Sequence, residues 1–115
     1  MNVTDLVVWG ILAHLIADWF FQNDYIAKNK SDLLHPSAWI HGIIHACFSA
    51  FVFGPLVGVA IGASHMLIDT RIPLKWWQRV IKQTSDGPYA IPVSIWLDQV
   101  FHFAIIAALA VMVKM

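Results

Sequence analysis

Apolar residues along this chain gather into four runs, at about 3–21, 38–53, 56–69 and 93–113, separated by polar segments at 22–37 and 70–92 and by a tight turn at Gly54-Pro55. A helix needs about 20 mostly apolar residues, within a range of roughly 17 to 25, to cross a bilayer's hydrocarbon core. The pattern therefore predicts an all-α, polytopic membrane protein whose single domain, residues 1–115, is a four-helix transmembrane bundle. The first run closes on Trp19, Phe20 and Phe21, aromatics suited to the headgroup boundary. His35-Pro36-Ser37 is a start signal for the second run. The second and third runs are short for full spans, so a pair of tilted or partly submerged helices joined at Gly54-Pro55 is the alternative. The first run has the length of a signal peptide. It lacks a basic leading segment, contains His14 and Asp18, and ends in bulky aromatics, so it is expected to stay attached.

The basic residues set an orientation. Lys28 and Lys30 lie between the first and second runs, and Arg71, Lys75, Arg79 and Lys82 between the third and fourth; only Lys114 lies elsewhere. Because Lys and Arg in short loops stay cytoplasmic, loops 22–37 and 70–92 are expected in the cytoplasm and both termini outside, across a bacterial inner membrane. Residues 74–81 place Trp76, Trp77 and Val80 among Lys75, Arg79 and Lys82. That pattern predicts a short amphipathic helix on the inner surface, between the third and fourth spans; an ordinary loop with snorkelling bases is the alternative. Asp86-Gly87-Pro88 is a turn on either account.

Composition sharpens the picture. With 59% hydrophobic and 12% charged residues in 115, the chain has more apolar surface than a soluble domain of this length can bury. Seven Lys and Arg balance seven Asp, so no nucleic-acid partner is expected. The single Cys47 excludes an intrachain disulfide.

Ionisable side chains are costly in hydrocarbon and usually functional. The four runs hold eight: His14 and Asp18, His41 and His45, His65 and Asp69, Asp98 and His102. Each run contributes one pair, spaced i, i+4, which puts both members on one helix face. Gly58 and Gly62 lead along the same face to His65 and Asp69, a small-residue stripe that permits close backbone approach. Gly10, Ala38, Gly42 and Ser49 flank the other pairs, leaving the large apolar residues for lipid. In the expected orientation all eight groups fall in the cytoplasmic third of the bilayer, so the pairs converge at one level.

Five imidazoles and three carboxylates suit a divalent transition metal, zinc first, with iron, manganese or nickel as alternatives. Eight groups exceed one zinc's needs, so either two metals bind or some groups act as supporting partners or as acid and base. A water activated by such a metal could attack an ester, amide or phosphoester delivered from the inner leaflet, with Asp18, Asp69 or Asp98 as the catalytic base. Haem would use the histidines but leave the paired aspartates idle. Two further readings stay open: a structural hydrogen-bond network, and an ion or proton path. His35, beside Pro36, is a helix-boundary residue. A bundle this small is also a candidate homo-oligomer, with Gly58 and Gly62 serving either an internal contact or one between copies.

The run from His14 through Asp18 to Gln22, then Lys28 and Lys30, His41 with His45, Ser64 and His65 with Asp69, and Asp98-Gln99 with His102 resembles the bacterial and phage-borne family called domain of unknown function three-three-zero-seven. The resemblance covers roughly residues 8–110. It implies a small polytopic inner-membrane protein whose pattern includes these His, Asp and Gln positions, and it implies no activity. It adds Gln22 and Gln99 as candidates for contacting a substrate or supporting a ligand. Gln22 is expected to continue the His14 and Asp18 stripe by one turn, whereas Gln99 lies off the Asp98 and His102 face. The string around His65 and Asp69 is similar to that of membrane-bound metal-dependent hydrolases. The expectation is thus a membrane-embedded hydrolase on a lipid-linked substrate. The alternative is a non-enzymatic module, a metal, proton or solute conduit or a phage-type effector that binds a host membrane protein.

Overall fold

The computed structural model describes residues 1–83 and 86–115, so positions 84 and 85 of the expected 70–92 loop lie outside the described residues. Among the described residues there are six helices and no strand: α1 (Val3–Trp19), α2 (Asp24–Asn29), α3 (Pro36–Phe53), α4 (Pro55–Asp69), α5 (Ile72–Val80) and α6 (Ala90–Val113). Their starts follow the local chemistry. Asn2 and Asp5 form a reciprocal capping box at α1, with side chain-to-backbone bonds of 2.8 and 3.1 Å. Asn23 caps α2 by accepting from the Ile26 amide at 2.9 Å. His35 caps α3 through Nδ1, which accepts from the Ser37 amide, and Pro36 occupies the first helical turn. His35 is therefore the boundary residue its position suggests.

Gly54 ends α3 and begins α4 at φ +89°, ψ 167°, a conformation essentially reserved for glycine. With Pro55 fixing the next φ, the chain reverses in one residue, and α3 and α4 become an antiparallel hairpin. Gly58 and Gly62 set its spacing. A Cβ on Gly58 would lie 2.8 Å from the Ala46 carbonyl oxygen and Ala50 Cα, and one on Gly62 would lie 2.8 Å from the Gly42 carbonyl oxygen. The glycine stripe is thus spent on an internal contact.

Around this hairpin α1 packs on α3 and α6, and α4 packs on α3 and α6, which closes a ring of four long helices. α2 rests on α3, and α5 bridges α4 and α6, with Leu74 buried beneath it. The short amphipathic helix expected near 74–81 exists as α5, starting two residues earlier.

Three expectations need correction. The 22–37 segment is more than a loop, because Asn23 nucleates the six-residue α2. α1 ends at Trp19 rather than at 21, with Trp19, Phe20 and Phe21 all exposed, so Gln22 lies past the helix and cannot extend its stripe. α6 begins at Ala90 rather than 93, which places Asp98 and His102 nearer its middle than its entry.

The interior is unusual in content. Among the described residues eleven polar and ten hydrophobic ones are buried, whereas Trp9, Phe51, Leu56, Trp96 and many other large apolar side chains face outward. α3 and α6 are long and apolar enough to cross a membrane by length and composition, and α4 is apolar but shorter, at 15 residues.

Candidate metal centre

Each long helix carries its i, i+4 pair to the axis of the ring. His14, Asp18, His41, His45, His65, Asp69, Asp98 and His102 are all buried, and all eight meet in one cluster. Asp18 is its hub. Its Oδ1 lies 3.0 Å from His41 Nε2, 2.9 Å from His45 Nε2 and 3.7 Å from His65 Nε2, and its Oδ2 lies 3.1 Å from His14 Nε2. Asp69 forms a second focus, with Oδ2 2.9 Å from His65 Nε2 and 3.6 Å from His41 Nε2, and Oδ1 3.3 Å from His102 Nε2. Asp98 Oδ1 stands 3.6 Å from His102 Nε2. The rings crowd together: His45 and His65 stack with centroids 3.4 Å apart, and His65 and His102 at 4.1 Å.

These contacts divide into two kinds. His45 Nε2 to Asp18 and His102 Nε2 to Asp69 have hydrogen-bond geometry, with the ring N–H donating. His41 Nε2, His65 Nε2 and Asp69 Oδ2 are buried, stand close to opposite partners, and make no hydrogen bond. Buried polar atoms left without a hydrogen-bond partner are open to a further ligand. Asp18, His41, His45 and His65 form one candidate ligand set, His14, His65 and His102 another, and Asp69, Asp98 and His102 a third, each with its atoms within 4.8 Å of one another. Metal–ligand bonds of about 2.0–2.1 Å in a tetrahedron require ligand–ligand edges of about 3.3 Å. The three edges from Asp18 Oδ1, at 2.9, 3.0 and 3.7 Å, bracket that length.

The charges also call for compensation. Lys30, on the residue that caps the end of α2, reaches within 3.9 Å of Asp69 Oδ2 and is the only lysine or arginine in an ion pair among the described residues. With the imidazoles neutral, three carboxylates and Lys30 sum to −2, and buried charge left unbalanced is costly. One divalent cation would cancel it.

Helix-face reasoning gave no role in the site to two residues that the family resemblance had included. Gln99 is buried inside it, its Oε1 accepting from His14 Nε2 at 3.0 Å while its amide nitrogen reaches Asp18 Oδ2 at 3.5 Å and Asp98 Oδ2 at 3.3 Å. The expectation that it points away fails because α6 faces two neighbours, α1 and α4, and adjacent residues can both point inward. Lys30 entered as a loop charge and as part of the family resemblance, with no role assigned, although the Asn23-Asp24 cap was the available signal for the helix that carries it. Gln22 joins no contact with the cluster; its side-chain oxygen is buried without a hydrogen-bond partner.

Comparison with known proteins returns no match among curated proteins and none among solved structures. The family model described as "Protein of unknown function (DUF3307)" matches residues 6–115, nearly the whole chain, and the protein belongs to that family.

Proposed function

We propose that the four long helices form a membrane-spanning bundle, with loops 22–37 and 70–92 on the cytoplasmic side of the inner membrane, and that the His/Asp cluster is the metal centre of a hydrolase working at that face. The carrying observation is the Asp18, His41, His45 and His65 set: one carboxylate and three imidazole nitrogens, from three helices, all buried, with the carboxylate oxygen 2.9–3.7 Å from each nitrogen. An interior so polar beneath so apolar an exterior supports lipid as the solvent, because soluble monomers rarely present wide apolar surfaces to water. α1, at 17 residues, and α4, at 15, reach the hydrocarbon thickness with the help of local bilayer thinning.

Zinc suits the three-nitrogen, one-oxygen set best, with iron or manganese next. When bound, such an ion supplies Lewis-acid polarisation and a hydrolytic nucleophile at neutral pH. The protein's own groups take the remaining roles. Asp18 is committed as a ligand by the three imidazoles around its Oδ1, which leaves Asp69, with His102 and Lys30 beside it, as the proton acceptor. Gln99 fixes His14, and Asp98 steadies His102. A lipid-linked ester or amide reaching the inner leaflet is the substrate class this depth serves. A conduit is less well supported, since the buried ionisable groups gather in one cluster.

The test is metal content by inductively coupled plasma mass spectrometry on detergent-purified protein, beside a His45→Ala/Asp69→Ala variant and with an absorption scan for haem. One or two equivalents of a transition metal, lost in the variant, support the centre, and chelator-sensitive hydrolysis of a lipid-linked ester then supports the reaction. A folded protein that stays metal-free after reconstitution refutes the metal centre and leaves a structural network or proton path.

A further inference from the structure

A second polar feature lies outside the cluster. Between α5 and the start of α6 there is a cavity of about 800 Å³ whose lining includes Arg71, Lys75, Arg79 and Lys82 and no carboxylate among the described residues. All four cations are exposed, and together they make one concave positive field that attracts an anion. Gln78, in the same wall, has a buried amide nitrogen with no hydrogen-bond partner. The chain also accepts backbone strain to put the cations there. Arg71, at φ 65°, and Lys82, at φ 59°, are the two non-glycine residues with positive φ among the described residues, and they stand at opposite ends of α5. Lys82 follows the helix end closed by the Gln83 amide bonding the Gln78 carbonyl at 3.0 Å, a position that glycine favours. Strain kept at such positions points to a task for the side chain.

Next to this cavity, α5 and α6 also enclose an apolar groove of about 420 Å³, lined by Trp76, Trp77, Leu97 and Phe101 among others. α6 links the two. Ser94 borders the cationic cavity, and Leu97 and Phe101, one and two turns further along the helix, border the groove. An anionic head and an apolar tail fit this sequence of surfaces. We infer that the cavity between α5 and α6 seats the phosphate of an anionic membrane phospholipid, with its acyl chain beside Trp76 and Trp77. Ser94 lies one helical turn from Asp98, and Arg71 follows Asp69 by two residues, so the cavity and the cluster draw on the same ends of α4 and α6. The assignment concerns binding and does not rest on the proposed hydrolysis.

Native mass spectrometry of the full chain, released from neutral detergent in equimolar phosphatidic acid and phosphatidylcholine of identical acyl chains, reads the preference directly. The wild type is expected to carry the anionic lipid in preference. Lys75→Gln/Arg79→Gln is expected to lose about fivefold in that preference per cation removed, about 25-fold in all. Lys75→Arg/Arg79→Lys keeps the charge and retains it, which separates charge from misfolding. His45→Ala/Asp69→Ala retains it too, so failure of the metal centre leaves this result untouched. Equal binding of the two lipids by the wild type, or an unchanged preference in the glutamine variant, overturns the assignment. Displacement of the lipid by millimolar inorganic phosphate also overturns it, because the cavity would then serve a soluble anion.

Discussion

Asp18→Asn separates a metal centre from a structural network, because the two readings assign it opposite couplings to a chelator. The substitution keeps the side chain's size and one acceptor oxygen, replaces the anionic carboxylate that lies 2.9–3.7 Å from the imidazoles with a neutral amide, and takes the cluster's charge from −2 to −1. If a divalent ion is bound with free metal about 100-fold above its Kd, it stabilises the wild type by about 2.7 kcal/mol. For a chain of this size about 4 °C accompanies each kcal/mol, so chelation should lower the wild-type Tm by about 10 °C. Losing the hub ligand weakens affinity by at least about a hundredfold, beyond the range for losing a supporting partner. Free metal then falls to about the Kd, stabilisation to about 0.4 kcal/mol, and the chelator response to about 2 °C. After chelation the two proteins should melt within a few degrees of each other, since the lost hydrogen bond is offset by relief of buried negative charge. Differential scanning fluorimetry in detergent, with and without chelator, provides the four Tm values. If the wild type ignores the chelator and Asp18→Asn is the less stable in both conditions, the reasoning fails and the hub is helix glue.

Other substitutions test the surroundings. Gly62→Ala forces a Cβ to 2.8 Å from the Gly42 carbonyl, an immovable backbone contact; unfolding should show a loss of about 1–3 kcal/mol, with reduced metal content as α3 and α4 separate. Gly54→Ala meets open space but holds φ at +89°, so its cost is backbone strain alone, about 1–3 kcal/mol, with metal stoichiometry unchanged. Gln99→Ala frees His14 without removing a charge, and metal titration should show affinity weakened about tenfold or more in a protein that remains helical. With Cys47 replaced by alanine, a cysteine at Lys28 or Arg79 should resist membrane-impermeant maleimide in intact cells and react in inverted vesicles; the reverse labelling would invert the proposed orientation.

Much of this architecture could be read from spacing. The i, i+4 pairs work as site markers because each long helix offers its partners a face, and two polar groups one turn apart cannot both leave that face. Gly58 and Gly62 were legible for the same reason, although only the structure decides that they serve α3 and not a second copy. The misreading of Gln99 exposes the limit of one-face reasoning. α6 meets α1 on one side and α4 on the other, and a helix in a ring of four presents a sector about as wide as the 100° between adjacent residues. His102 serves Asp69 on α4, while Gln99 serves His14 on α1. α2 escaped because six residues are too few to show a periodicity. The stop of α1 escaped because three successive aromatics read as apolar continuation, and nothing local says which of them ends the helix.

The Gly54 reversal has a consequence for how the protein is made. Three of the four groups in the first ligand set, His41, His45 and His65, belong to one helical hairpin, and that hairpin is complete before residues 90–113 are synthesised. α1 precedes it and brings Asp18. α1, α3 and α4 therefore leave the ribosome ahead of α6, which arrives last as a closing wall carrying Gln99, Asp98 and His102. If the proposed ion is bound, it can be held by α1, α3 and α4 before α6 closes the ring.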